Sequence, residues 1–161
     1  MERKSAGLLM YRRRGRHVEV LLIHPGGPFW ARKDDGAWCI PKGEFTDEEP
    51  LEAAQREFQE ETGCPVGGDF QPLAPIKQAG GKMVYVWAVA GDCDAETIQS
   101  NTFTMEWPPH SGQWKTYPEA DRAAWFSLSQ AREKILKSQR PLLDGLERLL
   151  KEQPQSGEGP A

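Results

Sequence analysis

The chain has 161 residues, 38% of them hydrophobic, 9% aromatic and 27% charged, which suits one globular domain with its own core. Its 20 Lys and Arg against 24 Asp and Glu leave a net charge of −4, which argues against a protein that grips bulk nucleic acid by its phosphates. No apolar run approaches the roughly 18 residues of a membrane span, and no signal-peptide hydrophobic region follows Met1-Glu2-Arg3-Lys4.

In chain order, residues 5–12 and 17–24 are predicted as extended segments, joined through Arg12-Arg-Arg-Gly-Arg16 into a hairpin. Gly and Pro make residues 25–37 a loop, and Trp38-Cys-Ile40 a short strand stopped by Pro41. A helix is expected from Pro50, a favoured first helical residue, to Gly63, a favoured residue just past a helix end. Leu51, Ala54 and Phe58 form its apolar stripe. Met83–Ala90 reads as a strand, Thr97–Trp107 as another, and Ala123–Ser127 as a last short one. Ser127 or Ser129 is placed to cap a helix running to about Ser138, and Pro141 to start one through about Leu150. The order describes a mixed α/β layered domain over residues 1–153, with 154–161 as a loose tail. Three cysteines, Cys39, Cys64 and Cys93, share no metal-ligand spacing and are expected to be reduced thiols of a cytoplasmic protein.

The segment Asp47 to Glu61 carries seven carboxylates and one cation, Arg56. Asp47, Glu48 and Glu49 flank the helix start, where the macrodipole favours negative charge, and Glu52 is spaced to pair with Arg56. Glu57, Glu60 and Glu61 have no such explanation. They sit in the last turns, beside the negative end of the dipole. At about 100° per residue, Glu60 and Glu61 fall roughly −60° and +40° from Glu57, so the three share one face. Ala53 lies within that face and is expected to leave open space above the cluster. A hard divalent cation relieves such a cluster most simply, because Mg²⁺ and Mn²⁺ take oxygen ligands.

With the preceding loop, the segment runs Pro41-Lys-Gly43, Glu48, then Arg56-Glu-Phe-Gln-Glu-Glu-Thr-Gly-Cys64. It resembles the Nudix box, Gly-x5-Glu-x7-Arg-Glu-U-x-Glu-Glu-x-Gly-U, where U is a bulky apolar residue. Seven residues separate Glu48 from Arg56 as the pattern asks, whereas four rather than five separate Gly43 from Glu48. The resemblance to the Nudix hydrolase superfamily implies an α/β/α sandwich with a mixed sheet, the box forming a loop–helix–loop. It further implies Mg²⁺- or Mn²⁺-dependent pyrophosphohydrolysis of a small-molecule nucleoside diphosphate derivative: a nucleoside triphosphate, a nucleotide sugar or a dinucleoside polyphosphate. By the same resemblance Glu57, Glu60 and Glu61 match metal-binding glutamates, Arg56 the arginine that orients the first of them, and Gly43 a glycine whose carbonyl completes the metal shell. Glu48 matches a mostly structural position.

A general base inside the box or on a later loop is implied as well, and Glu106, Glu119 and Asp121 lie in that later region. Lys42, Arg32 and Lys33 are candidates to meet phosphate oxygens, and Trp30 and Trp107 to stack on a base. His24, Trp87 and Trp125 read as packed side chains, and Cys64 as a small buried hydrophobe. A Nudix-fold module that binds a nucleotide without cleaving it is the alternative reading, though it would be expected to have lost one or more of the helical glutamates.

Overall fold

The computed structural model describes residues 4–152, so the end of the expected domain and the tail at 154–161 lie outside the described residues. Strand β1 (Lys4–Arg14) turns through Gly15, at φ 62°, into β2 (His17–Pro25), the two pairing antiparallel from Tyr11↔Val20 to Arg14↔His17. Near its start β1 instead pairs with β3 (Lys42–Glu44) through Ser5, Ala6 and Gly7. Gly7 is required there, since a Cβ would strike the carbonyl of Pro41. Ala6, Leu8 and Met10 of β1 enter one apolar cluster and Leu9 another, so both faces of this strand are buried.

Helix α1 (Pro50–Thr62) begins with its proline in the first turn and ends at Gly63, whose φ of 74° and N–H bond to the Gln59 carbonyl close the last turn. It buries Ala53, Ala54 and Phe58 against Ala6, Leu8 and Phe45. The open space expected at Ala53 is therefore absent: its methyl is fully buried under the sheet-facing side of the helix.

The strands β4 (Gln71–Pro72) and β5 (Ile76–Lys77) both pair with β6 (Met83–Ala90), which runs parallel to β1. Thr97, expected to start a strand, instead ends a short 3₁₀ turn at Ala95–Thr97 that the Asp94 carboxylate caps through the Glu96 N–H, and residues 98–101 follow it outside any strand. Strand β7 (Thr102–Glu106) follows and pairs antiparallel with β8 (Trp114–Pro118) as a hairpin apart from the main sheet. Strand β9 (Ala120–Ser127) begins three residues earlier than expected and pairs with β2. Trp38 and Cys39 make single bridges to Ile135 and Ile23 where a short strand was expected.

Ser127, the first of the two serines considered, caps α2 (Leu128–Lys134) in a capping box with Gln130. That helix stops short of Ser138 because Ile135 turns to extended backbone and the N–H of Leu136 bonds the Trp38 carbonyl. Helix α3 (Arg140–Glu152) buries Leu142, Leu143, Leu146 and Leu150. Among the described residues the main sheet has seven strands, with β4-β6-β1-β2-β9 in order, α1 on one face and α2 and α3 on the other. This is an α/β/α sandwich around a mixed sheet.

Cys64 and Cys93 depart from the sequence expectation. A disulfide joins them, with Cα atoms 5.9 Å apart, and Cys39 remains a thiol. The two cysteines are 29 positions apart in sequence, so the pairing follows from the fold and not from any local spacing.

Candidate active site

Helix α1 lies across the end of β3, and this contact builds the site. Gly43 of β3 is flat against the helix: a Cβ there would fall on the carboxyl group of Glu57. One turn on, Glu61 accepts a hydrogen bond from the backbone N–H of Lys42 at 2.7 Å. Helical spacing thus sets both carboxylates on the strand that the β1 pairing brings alongside.

Arg56 holds the array. Its Nε and Nη2 fork onto Glu48 at 2.6–3.1 Å, while Nη1 donates to Glu57 at 2.8 Å and Glu60 at 3.0 Å. The expected partner Glu52 is replaced by Glu48. A residue just before the helix can present both carboxylate oxygens to the planar guanidinium. The hydrogen bonds from Arg56 hold Glu48 below the usual carboxylate range, and those from Glu48 in turn raise Arg56.

Glu57, Glu60, Glu61, Lys42, Gly43 and Glu119 line one cavity of about 380 Å³, together with Asn101 and Thr102. Glu119 comes from the β8–β9 junction, where its carbonyl accepts from the Gly26 N–H at 3.0 Å and its N–H donates to Asn101 at 2.7 Å. Asn101 in turn donates its N–H to the carbonyl of Glu60 at 2.8 Å. Two backbone bonds therefore connect Glu119 to the helix that carries the glutamates. This placement has no signal in the sequence, because Glu119 and Glu57 are far apart along the chain.

The other candidates lie elsewhere. Glu106 accepts the backbone N–H groups of His110 and Gly112, at 3.2 and 2.9 Å, and so closes the turn of its own hairpin. Asp121 bonds Nδ1 of the buried His24 at 2.9 Å, and the other ring nitrogen meets the Lys33 carbonyl at 2.6 Å. Trp30 lies under the Lys33 ammonium, Arg32 is exposed, and Trp107 meets Phe29 edge-on at 5.0 Å. None of these six lines the cavity.

The donor set is all oxygen and crowded with negative charge, which suits a hard divalent ion. Among the described residues no three carboxylates converge as a ready cage, since Arg56 draws on Glu57 and Glu60 while Glu61 is held by Lys42. Burial raises Glu57, with the Arg56 bond working the other way. Burial first, then the charge of Glu57, pushes Glu61 up to about 8.

Glu61 therefore keeps a proton in the folded protein over a range where the unfolded chain has lost it. Because the folded state binds the extra proton, stability falls as pH rises from about 4.5 toward 8, by up to ~1.4 kcal/mol per pH unit from this group. Urea melts of the metal-free protein across that window are expected to show the decline, and Glu61→Gln to flatten it. An unchanged slope in the variant would assign the proton elsewhere.

Residues 1–146 match a family model described as the NUDIX domain. No curated protein matches the chain. Among solved structures the chain is similar to a C. elegans Ap4A hydrolase in a binary complex, at 24% identity and TM-score 0.64, over 92% of this chain and 98% of that one. It is similar to the NUDIX domain of Shewanella oneidensis NrtR complexed with ADP ribose, at 15% identity and TM-score 0.65, over 93% and 89% of the two chains. A MutT protein from Methanosarcina mazei Go1 aligns over 94% of this chain and 96% of its own, at 22% identity and TM-score 0.60. At these identities the likeness is one of fold.

Proposed function

This chain belongs to the Nudix hydrolase family, whose members act on pyrophosphate bonds, and on that premise we propose that it is a divalent-metal-dependent pyrophosphohydrolase of a nucleoside diphosphate derivative. The observation that carries this reading is the single cavity shared by Glu57, Glu60, Glu61, Gly43, Lys42 and Glu119. Glu57, Glu60 and Glu61, with the Gly43 carbonyl, would hold Mg²⁺ or Mn²⁺, which when bound neutralises phosphate charge and makes water more acidic.

The chain's own groups supply the rest. Arg56 fixes the rotamers of Glu57 and Glu60 through shared hydrogen bonds, with Glu48 anchoring the guanidinium from outside the helix. Lys42 lines the cavity and offers its ammonium to a phosphate oxygen. Glu119 enters the same cavity from the β8–β9 junction rather than from the helix, and it accepts the proton of the attacking water.

Incubating the protein with nucleoside triphosphates, nucleotide sugars and dinucleoside polyphosphates, with Mg²⁺ or Mn²⁺, is expected to yield nucleotide products from at least one class. Binding without cleavage across the panel would reassign the chain to a nucleotide-binding module. Glu119→Gln is expected to lower kcat about 10²-fold. Glu106→Gln, on the hairpin turn, is expected to leave kcat unchanged. Equal rates for Glu119→Gln and the unmodified protein would move the base elsewhere.

A further inference from the structure

His24, at the end of β2, is fully buried, with its ring edge-on to Trp38 at 5.2 Å between centroids. Both ring nitrogens face acceptors: Nδ1 lies 2.9 Å from the Asp121 carboxylate and Nε2 2.6 Å from the Lys33 carbonyl. A neutral imidazole carries one N–H, so only the imidazolium donates to both, and Asp121 supplies the matching charge. Arg122 comes within 3.6 Å of the same Asp121 oxygen, too far for a hydrogen bond, so the buried ring is what fixes this carboxylate.

The carboxylate it fixes belongs to a β-bulge. Strands β2 and β9 pair regularly up to His24↔Arg122, but the next pair is Pro25↔Ala120, so Asp121 is an extra residue without a partner in the ladder. Side chains alternate along a strand, and one extra residue reverses the face that each residue beyond it presents. Beyond Asp121 and Ala120 stands Glu119. Its carbonyl accepts the Gly26 N–H at 3.0 Å, in a space too narrow for a Cβ on Gly26, which would strike the Pro118 carbonyl. The bulge thus decides which way the Glu119 carboxylate points, and Glu119 lines the cavity with Glu57, Glu60 and Glu61.

We propose that His24 and Asp121 are positioning residues for the reaction: the buried imidazolium grips the extra residue by its side chain, keeps the bulge in place and so holds Glu119 turned into the cavity. The second bond of the ring, to Lys33, ties the loop at 25–37 to the same point, so loop and strand are set together. Neither His24 nor Asp121 lines the cavity, and both act through Glu119. The assignment rests on the reading of Glu119 as the acceptor of the water proton.

The test measures kcat and KM with Mg²⁺ for ATP, UDP-glucose and diadenosine tetraphosphate, in variants made both with Glu119 and with Glu119→Gln. Asp121→Ala removes a side chain that is 33% exposed, so the protein is expected to stay folded. Its kcat is expected to fall about tenfold with KM unchanged, since misplacing a reacting group by about 1 Å costs up to roughly 10²-fold. His24→Asn keeps an N–H where Nδ1 stands and is expected to retain most of kcat. His24→Gln keeps one where Nε2 stands and is expected to lose kcat as Asp121→Ala does. With Glu119→Gln in place, none of the three should slow the enzyme further. Equal losses in the two backgrounds, or an unchanged kcat in Asp121→Ala, would overturn the positioning role while the hydrolase reading stands. If Glu119→Gln alone is as fast as the unmodified protein, the positioning role falls with Glu119. If none of the three compounds is cleaved, the hydrolase reading falls as well.

Discussion

Glu61→Gln and Glu57→Gln are each expected to lower turnover at least ~10²-fold while the protein stays folded, because each removes one carboxyl group that would hold the divalent ion without changing side-chain size. The two should differ in the metal-free protein. Glu61 is the more deeply held, with its pKa raised to about 8, so its amide substitute relieves a buried and crowded carboxyl group and should raise the melting temperature at alkaline pH. Glu57 also accepts from Arg56, and its amide leaves that guanidinium with a weaker partner, so the gain there should be smaller. Steady-state rates beside thermal melts without metal separate the two effects. Full activity in both variants would remove these glutamates from the chemistry.

Gly43→Ala is expected to cost about as much activity for a different reason. The new methyl falls on the Glu57 carboxyl group, which is the mobile end of a side chain, so that carboxylate is displaced while the backbones stay where they are. Misplacing a reacting group by about 1 Å costs roughly 10²-fold. The melting temperature should hardly move, since β3 is extended backbone that alanine adopts readily. A double-mutant cycle with Glu57→Gln sharpens the test. If the methyl acts only through Glu57, the double variant is no slower than the slower single one. Fully additive losses would mean that Gly43 serves some other group.

The helical half of the site was legible from residue spacing. Gly63 and Pro50 marked the limits of α1, and the 3.6-residue repeat set Glu57, Glu60 and Glu61 on one side of it, a relation that needs nothing beyond the helix itself. The same locality made the β1–β2 hairpin, β6 and α3 readable, since their apolar runs and turn residues are contiguous in sequence.

Where local pattern and distant contact competed, the pattern misled. Glu52 has the i,i+4 spacing to Arg56, yet Glu48 takes the guanidinium because the chain before the helix folds back toward it. Ala53 was expected to face open space, but the sheet packs against it. Strand β8, in which Lys115 interrupts the favourable residues, gave no signal, because it exists through pairing with β7.

Residue spacing alone sets three carboxylates on one helix face and puts that helix in a layered α/β domain. The folded chain brings strand β3 to that face, draws Glu119 to it in place of Glu106 or Asp121, and joins Cys64 to Cys93. Helical periodicity is a property of neighbouring residues, whereas these meetings depend on strand order and loop closure between segments far apart in the chain. No residue's immediate neighbours encode them.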